Sequence, residues 1–142
     1  MAEVSAEARI GAPAEKVWAR LTDRPGHGEW NTTHTGFPEG GPDPLEVGAS
    51  FRENMRLLNF PAEIVWTVEE VEPARVPAVR GTGPMPVGVT TRYTLVPDGS
   101  GTTVRIDGTF TGATVSPTAA RLTESATAAL QQSLRSLDAL LT

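Results

Sequence analysis

The sequence predicts an α+β domain in which one curved antiparallel sheet wraps a long C-terminal helix. Three observations carry that expectation. Apolar and polar residues alternate with a period of two in segment after segment from residue 2 to residue 110; a helical pattern interrupts them near the N-terminus; and the chain from Thr118 to Thr142 is helically periodic with no Gly or Pro. With 142 residues, 39% of them hydrophobic and 20% charged, the chain is sized for one domain, 1–142, around one core.

Residues 2–10 set Val4, Ala6, Ala8 and Ile10 against Glu3, Ser5, Glu7 and Arg9, the pattern of a half-buried first strand. Pro13 suits a first helical turn, and Val17, Trp18 and Leu21 then recur at helical spacing, predicting a short helix over about 13–22. Asp23-Arg24-Pro25-Gly26-His27-Gly28 breaks it; Glu29-Trp30-Asn31 reads as one further helical turn and Thr32 to Phe37 as a weak strand. The Pro- and Gly-rich stretch 38–48 is a loop of the kind that lies over binding sites.

The next two strands, Ser50 to Leu58 and Ala62 to Val71, form a predicted hairpin, with Phe51, Glu53, Met55 and Leu57 on one face of the first and Ile64, Trp66 and Val68 on one face of the second. Residues 75–83 make another strand, ended by a Gly-Pro-Met-Pro-Val-Gly turn whose prolines block continuous pairing. Val89, Thr91, Tyr93 and Leu95 alternate on one side of the Pro97-Asp98-Gly99-Ser100-Gly101 turn and Val104, Ile106, Gly108 and Phe110 on the other, the clearest hairpin of the chain. Ser116-Pro117 supplies an N-cap and a first-turn proline for a closing helix of about 24 residues, roughly 36 Å long. Ala119, Leu122, Ala126, Ala129, Leu130, Ser133, Leu134, Leu137, Leu140 and Leu141 form its apolar stripe. The first half of that stripe is small and the second half leucine, so volume is left between helix and sheet for a ligand.

Composition excludes several classes. With no cysteine the chain has no disulfide, zinc ribbon, iron–sulfur cluster or thiol nucleophile. A net charge of −5 with thinly spread basic residues argues against nucleic acid as a partner. No apolar run approaches the roughly 18 residues of a membrane span, and the start lacks a signal-peptide pattern, so a cytoplasmic location is expected. His27 and His34 lie seven apart with no His-Glu-x-x-His spacing, which argues against a metal site. Gly81-Thr82-Gly83-Pro84 makes a poor phosphate loop, and no Gly-x-Ser-x-Gly supports a nucleophilic serine.

The element order is the helix-grip plan. Within it, Ala12-Pro13-Ala14-Glu15-Lys16-Val17-Trp18, Glu29-Trp30, Ile64-Val65-Trp66-Thr67-Val68 with Glu72-Pro73, and Gly101-Thr102-Thr103-Val104 resemble the START-like, Bet v 1-like (SRPBCC, polyketide cyclase/dehydrase) superfamily along the whole chain. Gly28-Glu29-Trp30 with His34, Leu45-Glu46-Val47-Gly48 and the Pro61 to Val68 segment further resemble a bacterial subgroup that contains a mycobacterial toxin of a type II toxin–antitoxin pair. Such motifs speak to fold more than to activity.

Glu53 is the leading candidate for chemistry. Its alternation places a carboxylate inward between Phe51 and Met55, where desolvation would make it a general acid or base; the resemblance implies a small polar residue at this position, from which Glu53 departs. The plainer alternative is a bulged strand with Glu53 solvated or paired with an Arg. Arg80 either faces the cavity as a counter-charge or ligand clamp or stands exposed on the convex face. Tyr93 is inward by alternation, either a donor to a ligand oxygen or a satisfied core tyrosine. His34 is either a proton shuttle or a structural hydrogen bonder. Trp30, Phe51, Met55, Trp66, Thr91, Phe110, Leu122 and Ala126 are the candidate ligand-binding wall, though each large side chain among them is equally a core residue.

The expected function is binding of a hydrophobic small molecule, a polyketide-like or aromatic metabolite, between sheet and C-terminal helix, with cofactor-free cyclisation or dehydration as its enzymatic form. There Glu53 or His34 would take a proton while Tyr93 or Arg80 stabilises the enolate. The alternatives are a carrier or sensor without turnover, and a toxin-like regulator acting through a protein partner, in either case as a monomer or homodimer.

Overall fold

The structure, a computed structural model, describes residues 2–23, 25–38, 45–57, 60–83, 87–112 and 115–142. Most of the 38–48 loop, the 84–86 turn and residues 58–59 between the hairpin strands therefore lie outside the described residues.

Strand β1 (Ala2–Ile10) leads into helix α1 (Ala14–Leu21), which buries Ala14, Val17 and Leu21. The second short helix is a single 3-10 turn, His27–Glu29, two residues earlier than the sequence pattern placed it. The weak strand shortens to β2 (His34–Gly36), because Asn31 Oδ1 accepts from both Thr33 N (3.1 Å) and Thr33 Oγ1 (3.0 Å) and so holds residues 31–33 in a turn. Strands β3 (Ser50–Leu57), β4 (Phe60–Glu72), β5 (Val76–Gly83), β6 (Val87–Asp98) and β7 (Gly101–Thr111) follow at the predicted places.

All neighbours pair antiparallel in the order β1-β7-β6-β5-β4-β3-β2. The sheet curls, and two irregularities in register sharpen its twist, one between His34 and Gly36 and one between Val68 and Glu70. Gly81, opposite Trp66, makes close packing possible there: a Cβ at Gly81 would stand 2.8 Å from the side chains of Ile64 and Trp66.

Helix α2 (Ala119–Leu141) fills the concave side. Ser116–Thr118 forms a 3-10 turn ahead of it, so Ser116 is not the N-cap; that position falls to Thr118, whose Oγ1 donates to Val115 O at 3.3 Å. The stripe buries Leu122, Ser133, Leu134 and Leu137, but Leu140, expected on the buried face, is 40% exposed, while its neighbour Leu141 packs against the core.

The core falls into two clusters along the helix. Leu134 and Leu137 pack with Ile10, Val17, Trp30, Leu95, Val104 and Ile106. Leu122 packs with Val4, Ile64, Trp66, Val89 and Phe110. Between them α2 presents Ala126, Ala129 and Ser133, and there the structure leaves a cavity. Ser133 also anchors the 31–33 turn, accepting from Thr32 N at 3.1 Å while Thr32 Oγ1 donates to Ala129 O at 3.2 Å.

Candidate functional site

A cavity of about 180 Å³ lies between the concave face of the sheet and α2. Every position expected on the binding wall lines it: Trp30, Phe51, Met55, Trp66, Thr91, Phe110, Leu122 and Ala126. The inward alternation of β6 and β7 brings in Val89, Thr91, Tyr93, Ile106 and Phe110, with Gly108 standing where a side chain would otherwise project. The volume compares with the roughly 150 Å³ of an apolar cavity that holds benzene.

Glu53 stands in this wall. It is 5% exposed, and among the described residues it is the only charged side chain classed as buried. Strand β3 directs it inward, as its alternation predicted, and no Arg or Lys pairs with it among the described residues. Its two oxygens have separate partners: Trp66 Nε1 donates to Oε1 at 2.9 Å, and His34 Nδ1 lies 2.6 Å from Oε2. Trp66 reaches Oε1 because its strand pairs with β3, setting Trp66 opposite Phe51 and Ile64 opposite Glu53. His34 reaches Oε2 because edge strand β2 sets it opposite Met55. At 2.6 Å the contact to His34 is short for a hydrogen bond at a ring nitrogen.

The structure adds a residue that the sequence reading considered only as a spacing. His27, in the 3-10 turn, faces the cavity and puts Nε2 3.6 Å from Glu53 Oε2. Burial pulls its pKa from 6.5 down to about 4, with the His34 ring adding in the same direction and Glu53 and Asp23 opposing. His27 is therefore neutral at pH 7, and its Nε2 accepts from Asn31 Nδ2 at 3.0 Å. The ring packs edge-on against Trp30 (4.8 Å between centroids) and His34 (4.7 Å). Phe37 continues the stack from His34 (4.4 Å) to Phe51 (5.9 Å). Although the two histidines lie seven apart in sequence, His27, His34 and Glu53 converge through the fold, with donor atoms within 4.8 Å of one another. The one sequence signal was that the only two histidines of the chain flank a tryptophan-centred turn.

Tyr93 lines the cavity with its ring 6.2 Å from that of Trp30, and no hydrogen bond to its hydroxyl is formed among the described residues. Burial, with Glu53 as a second cause, pushes the phenol well above its usual 10.0, so it remains a neutral donor. Trp30 Nε1 is buried without a hydrogen-bond partner among the described residues.

Two expectations need correction. Arg80 does not face the cavity: its β5 position points to the convex side, where Nε pairs with Glu69 Oε2 at 3.3 Å and the side chain is 62% exposed. It can be neither a counter-charge for Glu53 nor an enolate stabiliser. His34 lies against Glu53 and, unlike His27, is not among the residues lining the cavity.

A curled seven-stranded sheet gripping one long helix over an apolar cavity defines the START-like helix-grip class. The chain belongs to the polyketide cyclase/dehydrase and lipid transport family, whose pattern matches residues 1–142. Its fold is similar to that of a START superfamily protein from Mycobacterium smegmatis, at 17% identity over 99% of each chain with a TM-score of 0.74. A Mesorhizobium loti protein is similar at 23% identity, 98% of this chain and 96% of that one, TM-score 0.73. DynU16, from the dynemicin biosynthetic locus, is similar at 19% identity and TM-score 0.72, with 99% of this chain aligned to 47% of that one. Among curated proteins none matches by sequence. No described helix is long and apolar enough to cross a membrane.

Proposed function

We propose that this protein binds a small aromatic or cyclised polyketide-like molecule in the cavity between sheet and α2, and that Glu53 performs proton transfer on it. The observation that carries this reading is a buried carboxylate, held by Trp66 and His34, in the wall of an otherwise apolar cavity. The cavity's volume, about 180 Å³, favours a molecule of one or two rings over a long extended chain. Glu53 takes an acidic C–H proton, with His34 stabilising the carboxylate beforehand. The neutral Tyr93 hydroxyl donates to the enolate oxygen, and ring closure or loss of water follows without an organic cofactor. The setting of DynU16 in a biosynthetic locus is in keeping with such a role.

A carrier or sensor without turnover is the second reading, favoured by the lipid-transport members of the family. A toxin-like regulator acting through a protein partner has weaker support. Among the described residues the large hydrophobics left exposed, Val47, Val65, Val96 and Leu140, lie on separate elements and form no obvious docking face.

The test is native mass spectrometry of the purified protein, with extraction of co-purifying molecules and a panel of aromatic polyketides, followed by Glu53→Gln. Retention of a hydrophobic molecule is expected, with turnover abolished in Glu53→Gln and affinity kept within a few-fold. Binding without turnover in either form selects the carrier. A protein that retains and binds nothing defeats both cavity readings and leaves the partner-protein role to pull-downs.

A further inference from the structure

The two histidines of the chain and its buried carboxylate meet at one point, and general acid–base chemistry uses only part of that cluster. His34 Nδ1 and His27 Nε2 lie 2.6 and 3.6 Å from the same oxygen, Oε2 of Glu53. All three donor atoms fall within 4.8 Å of one another. We propose that His27, His34 and Glu53 form a binding site for a divalent first-row transition-metal ion.

The donor set is two imidazoles and one carboxylate, the mixture that suits zinc, iron(II) or cobalt(II) rather than calcium or magnesium, which take oxygen. Bonds of about 2.0–2.2 Å to one ion would require the three donors, now within 4.8 Å of one another, to adjust around it. The supports of a metal site are also present. Trp66 Nε1 holds Oε1, which leaves Oε2 turned toward both rings. His34 and Glu53 are mounted on paired strands β2 and β3, and His27 Nε2, which accepts from Asn31 Nδ2 in the metal-free protein, exchanges that hydrogen bond for the ion. Three protein ligands leave coordination positions open, and two of the three residues line the cavity, so a cavity ligand would reach the ion. A dication also supplies the counter-charge that no Lys or Arg gives Glu53 among the described residues. This site goes beyond the ligand-binding reading and does not depend on it. Proton transfer by Glu53 belongs to the metal-free protein, since a seated ion takes the same Oε2.

The experiment uses the full chain, stripped with EDTA and titrated with zinc chloride without organic ligand. Because the chain has only two histidines and no cysteine, long-range 1H–15N NMR reads every imidazole donor at once. Saturable one-to-one binding is expected, with the ligating nitrogens of both imidazoles shifting together and cobalt(II) giving visible bands of a four- or five-coordinate site. Glu53→Gln is expected to weaken binding at least about tenfold. Absence of saturable binding, shifts at one ring or neither, or undiminished affinity in a folded Glu53→Gln protein would each overturn the proposal. If that variant does not fold, the two-ring NMR result on the unmodified chain still decides it. Failure here leaves the retention of a hydrophobic molecule untouched, and the reverse also holds.

Discussion

Tyr93 is the only tyrosine in the chain, so its ionisation can be read without interference from another phenol. Burial raises its pKa above the usual 10.0, and Glu53 adds to the effect. The folded protein therefore keeps a proton that the unfolded chain loses above about pH 10, and stability falls as pH rises past that value. Absorbance at 295 nm is expected to show no phenolate until unfolding, and a phenolate signal from the still-folded protein near pH 10 would contradict the buried, unpartnered placement. Its inward facing followed from alternation with Thr91 and Leu95. The missing hydroxyl partner did not, because hydrogen bonds across a cavity depend on side chains far apart in sequence.

At the scale of elements, α2 decides the cavity. Its ends carry leucines that reach both core clusters, while the small Ala126 and Ala129 leave the space opposite its middle unfilled. Ala126→Leu is expected to fill part of the space, lowering ligand affinity at least about tenfold while the urea midpoint holds or rises. Lost stability together with unchanged binding would show that the helix packs differently. That stripe of small residues was legible from the helical wheel alone. The facing of Arg80 was not, since β5 carries glycines on one face and small residues on the other, and its pairing with Glu69 lies beside the register shift between Val68 and Glu70.

Across the whole molecule, β1 pairs with β7, setting Ala2 opposite Phe110, so the sheet is complete only when its first and last strands have paired. Contacts of such long sequence separation make folding slow and make the cavity a property of the complete domain. A ligand held there stabilises the whole fold by mass action. At a hundred times its dissociation constant it is expected to add about 2.7 kcal/mol, roughly 5–10 °C in melting temperature for a chain of this size. Differential scanning fluorimetry checks this, and a molecule that binds with no shift binds the unfolded chain as well as the folded one and is not held by the cavity.

The family resemblance was carried by particular motifs, whereas periodicity of two and of 3.6 residues was enough to read the strands, the gripping helix and the inward set of Glu53, Tyr93 and the aromatic wall. Those features follow from local steric and hydrophobic patterning, which a linear sequence records. The convergence of His34, Trp66 and His27 on one carboxylate, with Asn31 bonded to His27, depended on strand register and on a 3-10 turn set against β2. Both arise from contacts between residues distant in the chain, and so from tertiary packing rather than local pattern.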